Sequence, residues 1–300
     1  MCVAAVLSAA CSNGDKSPAG DIGIETSPGE TTTTRARVDE GPGRPPAAGS
    51  STPTDRAGRP TPTSPARPAP TSPSRTSPDP IVARANDDPG EFAGILLQAQ
   101  PAAQLVLDVM RQPGAEPSGG SVARLLDVLE TASGKPVKLT ERVVPIAGEV
   151  HSADKIRADS DRHAAAAHGQ GTAVVRALFL VGRYSEGASA LGVAVRGDTF
   201  AVFPDQIRRA ASPLASRSLV EAAVITHEAG HLLGLVDLYI DRNREDPEHP
   251  GHSPNSGSVM FWAIESDVVT TVLGGPPPVE FDSADRADLA TIRSGSLRRG

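Results

Sequence analysis

Cysteine is absent from residue 12 onward, because Cys2 and Cys11 are the only two in the 300-residue chain. The remainder can hold neither a disulfide nor a thiolate metal site, so packing and other ligands must stabilise it. Aromatic residues make up only 3% of the chain, and none precedes Phe92. Between Ser12 and Pro80 Leu, Met, Phe, Tyr and Trp are all missing. Such a stretch cannot bury enough apolar surface to offset the entropy of ordering it. No apolar run reaches the roughly 18 residues that a membrane-spanning helix needs. Positive charge is also short: residues 85–300 carry 20 Lys and Arg against 28 Asp and Glu. That balance excludes a nucleic-acid footprint, which depends on clustered positive charge.

Three regions follow from these absences. Residues 12–88, dominated by Pro, Thr, Ser, Gly and Arg in runs such as Thr61-Pro62-Thr63-Ser64-Pro65, are expected to form a disordered, partly polyproline-like linker. Residues 89–300 hold regular apolar runs and suit one globular domain of about 200 residues. Residues 1–11 are apolar, end in small residues and run into Cys11. They resemble the remnant of a bacterial lipoprotein signal, although a basic n-region is missing and Ser8 stands where an aliphatic residue is usual. That resemblance implies export, to the cell envelope by a membrane tether at a lipidated Cys11 or as a secreted chain.

Within the domain, Gln104 to Met110 reads as a buried strand closed by Gln112-Pro113-Gly114. A helix follows, with Ser121 as N-cap, apolar residues at Val122, Leu125, Leu126 and Leu129, and Gly134 just beyond its end. Val137 to Val144 alternates as a half-buried strand does, and 153–168 reads as an exposed Ala-rich helix whose His163 and His168 carry little signal. Thr172 to Val181 suits a central strand. Leu191 to Arg196 and Thr199 to Phe203 flank the hairpin turn Gly197-Asp198, so one of them should be an antiparallel edge. Ser218 and Glu221 form an S-x-x-E capping box before the apolar run Leu219 to Leu235, and Ser283 to Ile292 reads as a last helix capped by Asp282.

The run Leu219 to Leu235 carries the chemistry. His227-Glu228-Ala229-Gly230-His231 places two imidazoles one helical turn apart on one face, where they can bind one cation, with the Glu228 carboxylate offset beside it. Histidines that are simply satisfied polar residues would read the same over five positions. Burying three titratable groups unpaired among Ala, Val, Ile and Leu would, however, cost several kcal/mol, which metal binding removes. The segment continues as Leu232-Leu233-Gly234-Leu235-Val236-Asp237, and the whole resembles the metzincin signature H-E-x-x-H-x-x-G-x-x-H/D. Aspartate at the last position is similar to the small actinobacterial snapalysin-type metallopeptidases. Ser258-Val259-Met260 likewise resembles the Met-turn of that family, in which a methionine floors the metal site.

The resemblance implies an α+β zincin fold: a mixed, mostly parallel five-stranded twisted sheet with an antiparallel edge strand, the active-site helix, the Met-turn and a C-terminal helix. It implies one catalytic Zn²⁺ held by His227, His231 and Asp237, with Gly234 turning the chain toward the third ligand and Met260 beneath. His252, in the loop with His249, is the alternative third ligand, and Asp241, Tyr239 and Glu265 are weaker candidates. Glu228 is the expected general base of a zinc endopeptidase, and Leu191, Gly192, Val193 and Ala194 the edge that would bind a peptide or protein substrate. Residues 261–265 would shape its specificity pocket. A metal-stabilised, non-catalytic binding protein on the same fold is the competing expectation. A monomer is expected in either case.

Overall fold

A computed structural model describes Ile81 and residues 88–296. The expectations for 1–11 and for nearly all of 12–88 lie outside the described residues. In chain order the elements are α1 (Ala93–Leu97), β1 (Gln104–Arg111), α2 (Ser121–Ser133), β2 (Val137–Val143), β3 (Val150–His151), α3 (Ala153–Arg162), β4 (Thr172–Phe179), β5 (Arg183–Tyr184), β6 (Gly192–Arg196), β7 (Thr199–Val202), α4 (Pro204–Ala210), α5 (Arg217–Leu232), a 3₁₀ turn (Trp262–Glu265), α6 (Val269–Leu273) and α7 (Ser283–Ser294).

The fold is mixed α/β. Its five-stranded sheet runs in the order β2-β1-β4-β7-β6, with every pairing parallel except β6 against β7, so β6 is an antiparallel edge. The period of two along each strand sorts side chains to opposite faces. On β4, Ala173, Val175, Ala177 and Phe179 enter the larger core with α2, α5 and α7, while Leu178 meets Ile156 of α3 on the other side. On β7, Phe200 and Val202 face the larger core and Ala201 the smaller. A register slip of one residue would exchange these two sets, so the buried faces fix the pairing.

Several boundaries differ from the sequence expectations. Gly120, at φ 89°, takes the N-cap position of α2, and Ser121 is its first helical residue. The helix near 153 stops at Arg162, because Asp108, buried in the neighbouring strand, accepts the Ala165 amide (2.7 Å) and draws the chain away. Residues 163–168 therefore leave the helix, and the His168 side chain turns inward, 5% exposed, its Nε2 lying 2.7 Å from the Asp198 carboxylate. Asp198, in the hairpin turn, also accepts from Arg176, Arg196 Nε (2.6 Å) and Thr199 Oγ1 (2.6 Å). Burial opposes its ionisation, but these partners outweigh it and hold its carboxyl below the ordinary value. The β6–β7 hairpin is thus pinned by a buried ion network. A β-bulge between Ala194 and Arg196 interrupts the same hairpin.

The S-x-x-E box at Ser218 does not cap α5. Ser216 does so, accepting from the Leu219 amide at 3.3 Å, two residues earlier than expected. Glu221, fully buried, instead accepts from the Ser118 amide (2.6 Å) and hydroxyl (2.9 Å) and ties α5 to the loop before α2. The C-terminal helix is capped as expected, with Asp282 and Asp285 forming a reciprocal box.

Candidate metal centre

Helix α5 is buried along most of its length, and His227, Glu228 and His231 lie on it with relative exposures of 0%, 0% and 7%. The helix ends at Leu232, one residue past His231, and Gly234 beyond it takes φ 78°, where a Cβ would lie 2.5 Å from that of Tyr239 and 2.8 Å from that of Ala93. Val236 and Asp237 follow at φ 51° and 64°, strained values for non-glycine residues, the β-branched valine above all. The chain is thereby turned sharply out of the helix.

What that turn delivers is not the Asp237 carboxylate. Asp237 accepts three backbone amides, from Arg242 (2.8 Å), Arg244 (2.5 Å) and Glu245 (2.9 Å), and so folds the loop that follows it. Arg244 anchors that loop to Asp285 and Asp288 of α7. Farther along, the Asp246 amide donates to the His252 carbonyl (2.7 Å) and the Ser253 amide to that of Met260 (2.8 Å). These ties set the His252 ring against both helix histidines, its centroid 5.1 Å from that of His227 and 5.0 Å from that of His231. The alternative ligand of the sequence analysis is therefore the one that joins the histidine pair. Asp237 is not among the grouped donors.

Among the described residues, one group of metal-competent donors stands together: His227, His231, His252 and Glu265, whose ligand atoms all lie within 4.8 Å of one another. The ring nitrogens face inward for identifiable reasons. Carbonyl oxygens can only accept, so Val259 O at 2.8 Å requires a proton on His227 Nδ1, and Pro250 O at 3.2 Å requires one on His252 Nδ1. Each of those rings is left with its Nε2 lone pair toward the centre, the carbonyl-oriented arrangement usual around metal-binding histidines. His227 Nε2 and His231 Nε2 are 3.0 Å apart. His252 Nε2 and both carboxylate oxygens of Glu228 are buried with no hydrogen-bond partner. Three inward imidazole nitrogens with a carboxylate suit Zn²⁺, and a cation there would satisfy the unpartnered atoms. The donor set fits the metal that the sequence resemblance implies.

Burial, reinforced by His252, lowers the His227 pKa to about 4, and burial with the two neighbouring histidines holds His231 well below its usual value. Both rings are neutral near pH 7, as ligands must be. Burial and then the Glu265 carboxylate push Glu228 well above the ordinary range, with the Ala194 amide nearby favouring its charged form. Glu228 is absent from the donor group although it adjoins His227 in sequence.

Met260 is fully buried, and a Cβ on Gly230 would lie 2.3 Å from its Sδ. The methionine therefore packs into the gap that glycine leaves between the two histidines. Ser258 holds this turn, accepting from the Met260 amide (3.0 Å) and donating to Asp285 (3.2 Å). Edge strand β6 crosses α5 so closely that a Cβ on Gly192 would stand 2.5 Å from Glu228 Oε1. Leu191 lies just outside the strand, and its amide donates to the Glu265 carbonyl at 2.7 Å.

No family model and no curated protein matches the chain. Among solved structures it is similar to an archaemetzincin from Methanopyrus kandleri, at 17% identity and a TM-score of 0.42 over 64% of this chain and 97% of that one. It is also similar to a zinc-dependent peptidase from Methanocorpusculum labreanum, at 15% identity and a TM-score of 0.39 over 61% of this chain and 99% of that one. The third is metalloproteinase-II from Bacteroides fragilis, at 12% identity and a TM-score of 0.39 over 72% of this chain and 59% of that one. Superposition at this level does not bear on chemistry, which follows from the side chains above.

Proposed function

We propose that the chain is a zinc-dependent endopeptidase in which His227, His231 and His252 hold the cation and Glu228 moves the proton. The observation that carries this is the convergence of three histidine donors, two with their tautomers fixed by carbonyls, beside a fully buried carboxylate that neither pairs nor joins them. Zn²⁺ would supply polarisation of the scissile carbonyl and acidification of water. Glu228 would accept a proton at a carboxylate oxygen from the attacking water and return it to the departing amide nitrogen. Its raised pKa in the metal-free chain suits a group that must hold a proton between those steps.

Substrate would enter along β6. At one end of that edge the Leu191 amide is tied to the Glu265 carbonyl, and at the other Arg157 Nε donates to the Val195 carbonyl at 2.8 Å. Between these ties lie Gly192, Val193 and Ala194, a segment suited to pairing with an extended peptide through main-chain hydrogen bonds. Gly192, without a side chain, lets that edge approach the Glu228 carboxylate.

The competing assignment, a metal-stabilised binding protein, has one observation in its favour: Glu265 supplies a fourth protein donor, and structural zinc sites are four-coordinate. Zinc content after dialysis and cleavage of a quenched peptide library by the full chain and its Glu228→Ala variant separate the two. The peptidase assignment expects one zinc in both proteins and chelator-sensitive cleavage in the unaltered chain alone. Full cleavage by Glu228→Ala would remove Glu228 from the chemistry, and zinc with no cleavage by either protein would favour the binding protein.

A further inference from the structure

Glu265 reaches the centre from a part of the chain that the signature segment does not include. It closes the 3₁₀ turn Trp262–Glu265, five residues after Met260, and its Oε1 lies 3.4 Å from His252 Nε2 while its Oε2 lies 3.8 Å from His227 Nε2. Glu265 is thus the ion-pair partner of His252 Nε2, which makes no hydrogen bond. A carboxylate and three imidazole nitrogens, with ligand atoms all within 4.8 Å of one another, would supply the four donors that a closed zinc site takes. A catalytic zinc keeps its fourth position open, and that is the position Glu265 would take.

We infer that Glu265 is a displaceable fourth ligand of the cation, occupying in the resting protein the position that substrate needs. This rests on the peptidase reading above. Two features make the carboxylate displaceable rather than permanent. Its side chain is 31% exposed, whereas Glu228 is fully buried, so Glu265 can turn into solvent at little cost. Its backbone is also stitched to the start of the substrate edge. Its carbonyl accepts the Leu191 amide at 2.7 Å, Ser266 bridges Ala190, and the Asp267 amide donates to the Ser189 carbonyl at 3.0 Å. A peptide that pairs with Gly192 to Ala194 would press on the strand to which the Glu265 backbone is attached. Occupation of the edge and release of the carboxylate are thereby mechanically linked.

The test compares the full chain with Glu265→Gln and Glu265→Asp, with circular dichroism to confirm folding. Zinc dissociation constants are measured by competition with a chromogenic chelator, and visible absorption is recorded for the Co²⁺-substituted proteins with and without acetohydroxamate. One zinc is expected in every protein, with the dissociation constant weakened at least about tenfold in Glu265→Gln, since even supporting partners of a metal are worth 10–100-fold. The Co²⁺ bands should shift in that variant, and acetohydroxamate should perturb them at lower concentration than in the unaltered chain. Peptide cleavage should rise severalfold. If Glu265→Gln and Glu265→Asp both keep the original zinc affinity and Co²⁺ spectrum, Glu265 is not a ligand and the inference fails while the peptidase reading stands. If the variants lose affinity as expected but no protein cleaves any peptide, Glu265 is a ligand and the peptidase reading fails. If the unaltered chain binds no zinc, both fail together.

Discussion

Replacing Gly192 by alanine adds one methyl group to the edge strand and should disable the chemistry without removing the metal. Gly192 has no positive φ, so alanine meets no backbone strain there. Its Cβ would stand 2.5 Å from Glu228 Oε1, 2.8 Å from Glu228 Cγ and 2.8 Å from Val224 Cγ1, whereas ordinary contact begins near 3.4 Å. The carboxylate or the strand must therefore retreat by about 1 Å, and a displacement of that size can cost about 100-fold in rate. Forcing a methyl group into a filled site also destabilises by about 1–3 kcal/mol. None of the three histidines is among the nearest atoms to that Cβ, so zinc content should remain at one per chain. The assay is kcat for chelator-sensitive peptide cleavage, with zinc content and Tm measured on the same preparations. A Gly192→Ala protein that folds, holds zinc and retains kcat within about twofold would refute the close approach of the edge to Glu228 as a catalytic requirement.

Other outcomes follow from the same geometry. His252→Ala should lose zinc on dialysis, whereas Asp237→Ala should keep one zinc and lose about 2 kcal/mol of stability, a fall in Tm of about 4–8 °C, through its three backbone hydrogen bonds. The reverse pattern of zinc loss would restore Asp237 as the third ligand. Gly230→Ala should displace Met260 and weaken zinc binding through the histidines on either side, an effect read as a raised zinc dissociation constant. The metal-free protein should lose stability as pH falls from about 6.5 toward 4. His227 takes up its proton in the unfolded chain first, and the shift from 6.5 to about 4 corresponds to about 3 kcal/mol. His231 acts in the same sense, while His252, raised by Glu265 against the effect of burial, and Glu228, raised by burial and by Glu265, oppose them. Urea unfolding of the chelator-treated Glu228→Gln chain, which lacks the opposing carboxyl, at pH 7 and pH 4.5 measures the difference, and equal stability at both would contradict neutral burial of the helix histidines.

Most of the scaffold was legible because its signals are periodic. The continuous apolar run of β4, the alternation near β2 and the i, i+3, i+4, i+7 pattern of α2 each express a packing geometry that repeats along the chain. His227 and His231 were legible for the same reason, since four residues are about one turn of helix. Where local signals compete, sequence alone chose wrongly. Ser216 and Ser218 can both cap a helix, and the choice between them was settled by Glu221, which a loop a hundred residues away recruits through Ser118. His168 carried little signal in the sequence because its partner Asp198 lies thirty residues on, in a turn whose sequence signals only a hairpin.

The third donor was least legible, and the reason is physical rather than a weakness of the signature. Spacing fixes where a side chain goes only while the backbone is regular, and after Gly234 two further residues with positive φ redirect the chain. Asp237 then lies beside three backbone amides, and in the structure its carboxylate accepts all three instead of joining the histidine group. The loop that the Asp237 carboxylate folds carries His252 to the two helix histidines, and it is held there as well by Arg244 against α7 and by the backbone bonds of Asp246 and Ser253, so that the centre survives loss of the carboxylate at a cost in stability. Loop folding by Asp237 and the approach of His252 to the helix histidines are thus successive consequences of one turn, and zinc loss in His252→Ala beside zinc retention in Asp237→Ala is the pair of results that would assign the third ligand to His252.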